Sequence, residues 1–319
     1  MTRSAHRLPR RGFALLIVLW VLAGIATIAA TAMLVARDGI AMSRNRLAAS
    51  RAEWLAEGWT ERARASIDAA LSADSSRDGD ATAWSRLDAV LASALSSATA
   101  ACALSMVPVG ARLPLNAATG HRLRRFFAAS GVTPSRVDSL SDALLDWRDA
   151  DDDERAFGAE RATYIAADRP PPRNAPLIDL RELRQVWGFD RLPPQVDTIV
   201  ASHVELEDGR TDLSHASVPV LLSLPGITRE TAEHVIALQR DGALPHDLLA
   251  LAEQLSRESR DSLTAHYTEL VSLTGMSPDA WIVSARCHSG EPPVTAVVEL
   301  RLARSGRRAA IVRRRGWLE

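Results

Sequence analysis

Arg10-Arg11-Gly12-Phe13-Ala14-Leu15-Leu16-Ile17-Val18-Leu19-Trp20 opens an apolar stretch that runs without a charge to Ala36. After Gly12 it is about 24 residues long, enough to cross a bilayer as a helix. Arg3, Arg7, Arg10 and Arg11 precede it and no acid does. The positive-inside rule keeps that end cytoplasmic and puts everything after residue 37 on the far side of the membrane. No polar spacer or Ala-x-Ala site stands between the charges and the apolar run, whereas a secretory signal peptide is cut beyond its apolar core. Three other readings fit less well: an uncut signal anchor, a cleavable signal cut near Ala30-Thr31-Ala32, and a buried core helix.

The abrupt basic-Gly-apolar junction resembles the leader of a type IV pilin or pseudopilin, cut after Gly12 to leave Phe13 as the new N-terminus. The apolar run ends in no helix breaker. Beyond Arg37-Asp38-Gly39, Ile40, Leu47, Trp54, Leu55, Trp59, Ala63, Ile67 and Leu71 recur among Arg, Glu, Ser and Ala. This is an amphipathic helix over 40–71 with one narrow apolar stripe. A membrane helix that continues as an amphipathic one is similar to the backbone plan of pilins. A juxtamembrane helix packed on its own domain gives the same pattern.

The remainder of the 319-residue chain bounds the fold. Without leader and span, roughly 280 residues remain, enough for two modest domains. A net charge of −1 argues against a global field for nucleic acid or anionic lipid. Aromatic residues are only 5%, yet eight are Trp, a skew with no evident function. Ser72 to Asp80 reads as a loop, 82–97 as a second helix, and Ala101 to Val109 as a short strand closed by Pro108 and Gly110.

Residues 113–275 read as helical pieces punctuated by Pro and Gly. Leu113-Pro114-Leu115-Asn116-Ala117-Ala118 and Thr211-Asp212-Leu213-Ser214-His215-Ala216-Ser217 each give a short extended lead-in, a polar cap and a helix, a weak internal duplication. From residue 276 the character changes: Ala280 to Arg286, Thr295 to Leu302 and Ala309 to Arg313 have strand chemistry, with turns at Gly290, Pro292-Pro293 and Ser305-Gly306. Trp281, Val283 and Ala285 share one strand face; Val297, Glu299 and Arg301 share one face of the next. Such a sheet needs a helix to cover it, and 40–71 is the natural partner. The fold class is therefore α+β: a long N-terminal helix packed on a small antiparallel sheet. Its parts are a leader (1–12), a transmembrane helix (13–36), the body's N-terminal half (37–112), an all-helical insertion of two related modules (113–275), and strands completing the body (276–319).

For chemistry, the strongest local signal is Asp146-Trp147-Arg148-Asp149-Ala150-Asp151-Asp152-Asp153-Glu154, followed by Gly158-Ala159-Glu160 and Tyr164. Closely spaced carboxylates in a loop suit a hard divalent cation such as calcium, although the EF-hand pattern is absent. A solvated acidic loop is the bland alternative. Leu224-Pro225-Gly226-Ile227-Thr228 resembles a helix-hairpin-helix turn, which holds DNA phosphate on backbone N–H groups in some proteins. Glu230 and Glu233 on the next helix oppose that use, so the turn reads as helix packing. Gly-x-Ser-x-Gly, His-Glu-x-x-His and the P-loop are absent, and a pair such as His203/Glu205 is more often structural than catalytic. Cys102 and Cys287 form no metal-ligand spacing. In an oxidising compartment they are either a disulfide or two buried thiols.

Taken together, these residues resemble the K-type minor pseudopilins of bacterial type II secretion systems (general secretion pathway protein K) over nearly the whole chain. The resemblance rests on Arg11 to Trp20; Leu113-Pro114-Leu115-Asn116; Leu144-Leu145-Asp146-Trp147-Arg148-Asp149 with Gly158-Ala159-Glu160 and Tyr164; Asn174-Ala175-Pro176; Glu182-Leu183; Gly188-Phe189; and Leu224-Pro225-Gly226-Ile227. It implies a pilin-like body with a large helical insertion, cleavage by prepilin peptidase after Gly12 and N-methylation of Phe13. It also implies bound calcium, with Asp149, Asp151 and Glu160 as ligands. Arg161 stands where a further acid is expected, and Asp212-Leu213-Ser214-His215 where an Asn-Thr pair is expected, departures that bear on one metal position and on turn geometry.

Most pilins carry Glu at the fifth residue after cleavage; this chain has Ile17. That buried Glu is thought to neutralise the terminal amine of the subunit added before it, and a carboxylate left unpaired in hydrocarbon is costly. Ile17 thus suits a subunit with no predecessor. The resemblance implies a non-enzymatic tip subunit in complex with I- and J-type minor pseudopilins. It would start the pseudopilus of major pseudopilin on the inner-membrane platform, which drives export of folded proteins across the outer membrane. It would sit in the inner membrane as a single-pass protein, N-terminus cytoplasmic and body periplasmic. The alternatives are a minor pilin of a type IV pilus, a membrane-anchored DNA-binding helix-hairpin-helix protein, and a periplasmic hydrolase on a signal anchor.

Overall fold

A computed structural model describes residues 11–73, 83–87 and 101–319. Helix α1 is a single helix, Arg11–Ala73. It contains no Pro, and Gly24, Gly39 and Gly58 lie in open space. Polar residues satisfy themselves on its own backbone: Thr27 Oγ1 donates to the Ala23 carbonyl at 2.8 Å and Ser43 Oγ to that of Gly39 at 2.9 Å. Its first half is apolar, and from Leu15 to Leu47 every residue is exposed.

Its second half lies on a four-stranded antiparallel sheet ordered β1-β6-β7-β8: β1 Cys102–Pro108, β6 Ala280–Ser289, β7 Val294–Ser305 and β8 Arg308–Leu318. The helix buries Ala48, Ala52, Ala56, Thr60, Ala63, Ile67 and Leu71. The expected stripe is thus corrected in its upper part, because Ile40, Leu47 and Trp54 face outward and alanines pack inward. Close approach explains it: a Cβ on Gly290, at the β6–β7 turn, would lie 2.6 Å from that of Ala48, so only small side chains fit there. Trp281, Val283, Ala285 and Cys287 of β6 and Val298, Leu300 and Leu302 of β7 face the helix. Three C-terminal strands were expected; all three form, each longer than its apolar core, and β1 adds the fourth. Cys102 and Cys287 sit opposite one another in the β1–β6 ladder and are joined as a disulfide.

Two tryptophans lock this core. Trp84 Nε1 donates to the Pro278 carbonyl (2.7 Å) and Trp281 Nε1 donates to the Trp84 carbonyl (3.0 Å). The remainder of the second helix predicted at 82–97 lies outside the described residues, as do leader residues 1–10; of the loop expected from Ser72 to Asp80, Ser72 and Ala73 instead continue α1 and the rest lies outside the described residues.

Between β1 and β6 the chain builds β2 Leu113–Pro114, α2 Gly120–Ala129, α3 Pro134–Arg148, α4 Arg161–Ala166, α5 Pro194–Ser202, β3 Val204–Glu205, β4 Thr211–Asp212, α6 Val218–Leu222, α7 Arg229–Asp241, α8 Leu248–Glu253, α9 Arg257–Ala265, α10 Tyr267–Leu273 and β5 Thr274–Gly275. The insertion is therefore not purely helical. Each module is closed by a two-residue parallel pair, β2 with β3 and β4 with β5. Equivalent bonds tie both: Leu115 N–H to the Glu205 carbonyl and Leu213 N–H to that of Gly275, each 2.9 Å. One core, from Leu113 to Leu270, runs through both modules. The extended lead-ins read at Leu113 and Thr211 form β2 and β4; their partners β3 and β5, two residues each, leave no periodic signal in sequence.

The insertion is fastened to the sheet at several points. Gly110, with φ +90°, has its N–H bonded to Glu205 Oε1 (2.8 Å) and its carbonyl to Asp212 N–H (2.9 Å). Glu207, between the modules, binds Arg301 and Arg313 on the outer sheet face. Arg210 pairs with Asp279 at 2.6 Å, and the His215 ring stands edge-on to Trp281 with centroids 5.3 Å apart.

Candidate functional site

The acid-rich motif folds around its first member. Asp146 closes the last turn of α3 and is fully buried. It accepts the Ala159 N–H at 2.9 Å, the Arg155 N–H at 3.3 Å and the Arg155 guanidinium at 2.6 Å. Burial pushes its carboxyl above the usual range, against the pull of Arg155. Gly158 is required here, since a Cβ would sit 1.8 Å from Asp146 Oδ2. Trp147 packs on Tyr164 (centroids 5.8 Å), whose hydroxyl accepts the Trp187 N–H at 2.7 Å. Arg148 donates to the carbonyls of Leu115 and Ala118 at the start of the module. Asp149 caps the helix and shares Arg155 with Asp146. Each of the four residues thus has a separate structural task.

Glu160, 2% exposed, opens α4 with both carboxylate oxygens lacking a partner. Burial, then the nearby charges of Asp146 and Asp149, push its carboxyl up to about 7. The predicted trio is not gathered. Asp151 is exposed and accepts the Asp153 N–H of its own loop at 3.0 Å, and Arg155 fills the space between Asp146 and Asp149. Among the described residues no three His, Cys, Asp or Glu side chains are grouped to hold a metal ion. The donor chemistry nevertheless fits a hard cation: Glu160 offers two unpartnered oxygens and Asp149 its buried, unpartnered Oδ1. Asp152, Glu154, Glu160, Arg161 and Ile165 line one pocket beside them. The sequence reading passed over Asp146 as organiser; the Gly158-Ala159 pair that grips it is the signal that could have found it.

Other singled-out residues have structural partners. In the hairpin turn, Gly226 (φ +69°) packs against α9, its missing Cβ 2.6 Å from the Ser262 carbonyl, and Thr228 caps α7. Arg125 of α2 donates to the carbonyls of Leu222 and Ile227, each at 2.9 Å. His203 bonds the Ile199 carbonyl and Glu205 bonds Gly110, so that pair does not act together. Ser214 Oγ and Asp212 Oδ2 both meet the same ring nitrogen of His215, at 2.9 and 2.6 Å. Both partners on one nitrogen pin a turn and leave no base between them to activate the serine. Gly12, Phe13 and Ile17 all lie in α1, Ile17 exposed.

A continuous helix whose apolar first half is long enough to cross a membrane, an antiparallel sheet that covers its second half and a two-module insertion define an α+β architecture of the pilin-like kind. Residues 94–194 match the family "Type II secretion system (T2SS), protein K". Type II secretion system protein K of Pseudomonas aeruginosa is 32% identical over 162 residues, 48% of this chain and 42% of that protein. The Dickeya chrysanthemi protein of the same name is 29% identical over 120 residues, 35% of this chain and 32% of that protein. The matched segments thus span less than half the length of either relative. The fold matches a chain in the crystal structure of the GspK-GspI-GspJ complex from the enterotoxigenic Escherichia coli type 2 secretion system. The TM-score is 0.56 and the identity 15%, over 86% of this chain and 99% of that one. Over these segments the chain is similar to type II secretion system protein K.

Proposed function

We propose that the chain is a minor pseudopilin of a type II secretion system, starting and capping the tip of the periplasmic pseudopilus that drives folded proteins across the outer membrane. The observation that carries this reading is α1: one unbroken helix that begins in an apolar, uncovered segment and ends buried under the sheet. A part built this way is held in the membrane by one end while its body is presented outside. Ile17 in place of a carboxylate suits a first subunit. The body joins I- and J-type minor pseudopilins, on the model of the named E. coli complex, and then major pseudopilin on the inner-membrane platform. It acts as an assembly part and not as an enzyme. Prepilin peptidase cuts after Gly12 and Phe13 is methylated, leaving a single-pass inner-membrane protein with a periplasmic body.

Calcium belongs to the same proposal. Glu160 and Asp149 would supply oxygens to it, with Asp152 and Glu154 beside them; Asp151 would stay with its own loop. The ion would supply charge neutralisation to a buried carboxylate that otherwise keeps its proton near neutral pH. The functional test is deletion of the chromosomal gene and return of the full chain. Loss of exported substrate and of pseudopili, both restored by the chain, is the expected result. Intact secretion with lost surface pili would instead favour a type IV minor pilin.

A further inference from the structure

The guanidinium of Arg155 stands where two carboxylates converge. One nitrogen, Nη1, serves both: it donates to Asp146 Oδ1 at 2.6 Å and to Asp149 Oδ2. Among the described residues neither acid has another ion-pair partner. The two ends of this contact are unlike. The Asp146 side chain is fully buried, whereas 38% of the Arg155 side chain is exposed. The backbone of Arg155 is held separately. Its N–H donates to Asp146 Oδ2 at 3.3 Å, and its carbonyl accepts the Gly158 N–H at 3.0 Å. Only the side chain has to move for the guanidinium to reach water.

Beside this pair lie carboxylate oxygens that Arg155 does not bond. Glu160, 2% exposed, has no partner for either oxygen, and Asp149 has none for its buried Oδ1. The charges of Asp146 and Asp149 both act on Glu160, so the three carboxyls form one cluster. Three unpartnered oxygens are too few for calcium, which takes six to eight. The two that Nη1 bonds, Asp146 Oδ1 and Asp149 Oδ2, bring the set to five. Asp152 and Glu154, which line the pocket beside Glu160, and water can complete it. A full shell thus needs the oxygens on which the guanidinium sits, and two cations in contact with the same oxygens repel one another.

We propose that Arg155 is a built-in competitor of the divalent cation: guanidinium and cation hold the same oxygens of Asp146 and Asp149, and the side chain turns out into solvent when the cation binds. Arg155 then sets the affinity of the loop. Calcium is taken up only where its concentration outweighs an ion pair already made, so the loop exchanges one cation for another instead of filling a bare site. The inference rests on the calcium reading above and goes beyond it in naming the residue that opposes the ion.

The test uses the full chain in detergent, stripped of divalent ions, with calcium chloride as the probe. Titration calorimetry compares the parent with Arg155→Gln and Glu160→Gln. In parallel, phenylglyoxal, which modifies accessible guanidinium groups, is followed at Arg155 by peptide mass spectrometry with and without calcium. Arg155→Gln is expected to bind calcium roughly tenfold more tightly, the worth of one charge-assisted hydrogen bond no longer competing. Calcium is expected to speed modification of Arg155 in the parent and not in Glu160→Gln. The labelling arm needs no substitution at Arg155, so it holds even where Arg155→Gln fails to fold. Modification of Arg155 unchanged or slowed by bound calcium overturns the inference and leaves the calcium reading standing. Equal or weaker binding by a folded Arg155→Gln does the same. No calcium binding to the parent or to Arg155→Gln removes the calcium reading, and the inference with it.

Discussion

The two modules of the insertion share a frame and differ in what they hang on it. Both open with a two-residue strand and close on it with a parallel one. Both place a left-handed glycine before a buried β-branched residue and a threonine: Gly131-Val132-Thr133 ahead of α3, and Gly226-Ile227-Thr228 ahead of α7. The first module then runs past α3 into the acidic loop, with buried Asp146 paired to the half-buried Arg155 and Glu160 left unpaired. In the second, α7 ends at Gly242 and leads directly to α8 without such a loop. The frame is common packing; the electrostatic strain is confined to one copy. The four fastenings to the sheet belong to the junction between them, at Gly110, Glu207, Arg210 and His215.

That contrast can be broken by mutation. Asp146→Ala should have the largest effect, about 3–4 kcal/mol of lost stability, because it leaves the Arg155 and Ala159 N–H groups without their acceptor and a void at a fully buried site. Denaturant unfolding of the full chain in detergent reads it; a loss below 1 kcal/mol would mean that Arg155 finds water readily.

The position that closes each module gives the next effect. Glu205 in the first corresponds to Gly275 in the second, both accepting through their carbonyls. Burial pushes the Glu205 carboxyl up to about 7, opposed by the Gly110 N–H. A folded state that holds this proton more tightly than the unfolded chain is most stable below the unfolded value of about 4.5, and loses stability as pH rises to about 7. The loss is at most about 3 kcal/mol. Glu205→Gln keeps an acceptor for Gly110 and should flatten that slope, raising the melting temperature at pH 8. An unchanged slope would assign the pH dependence elsewhere.

Calcium should act on the first module alone. At a hundredfold excess over its dissociation constant it should add about 3 kcal/mol, and Glu160→Gln should abolish most of that. Hydrogen exchange localises the effect: protection confined to 146–166 supports it, and protection around α7 contradicts it. The smallest effect separates the two glycines. Gly226→Ala meets the Ser262 carbonyl as well as its left-handed backbone, whereas Gly131→Ala meets only the backbone cost of about 1–2 kcal/mol. Equal losses in the two variants would show that the hairpins are packed alike.

Legibility in the sequence followed the length scale of the forces. The 24-residue apolar run, the strand faces of β6 and β7 and the Pro/Gly punctuation are periodic signals many residues long, and they reported the helix, the sheet and the insertion. The stripe on α1 was misassigned above Trp59 because periodicity favours large apolar residues, while packing against Gly290 selects alanine. Two-residue strands have no period to detect. The acids of the loop were visible as composition, but which of them meets Arg155, which meets its own backbone and which is left bare depends on how α3 and α4 come together.

The mature N-terminus tests the central claim most directly. Mass spectrometry of the full chain from cells with and without prepilin peptidase should give N-methylated Phe13 only when the peptidase is present. An intact Met1 in both strains, or a terminus near Ala32, would contradict the pseudopilin account.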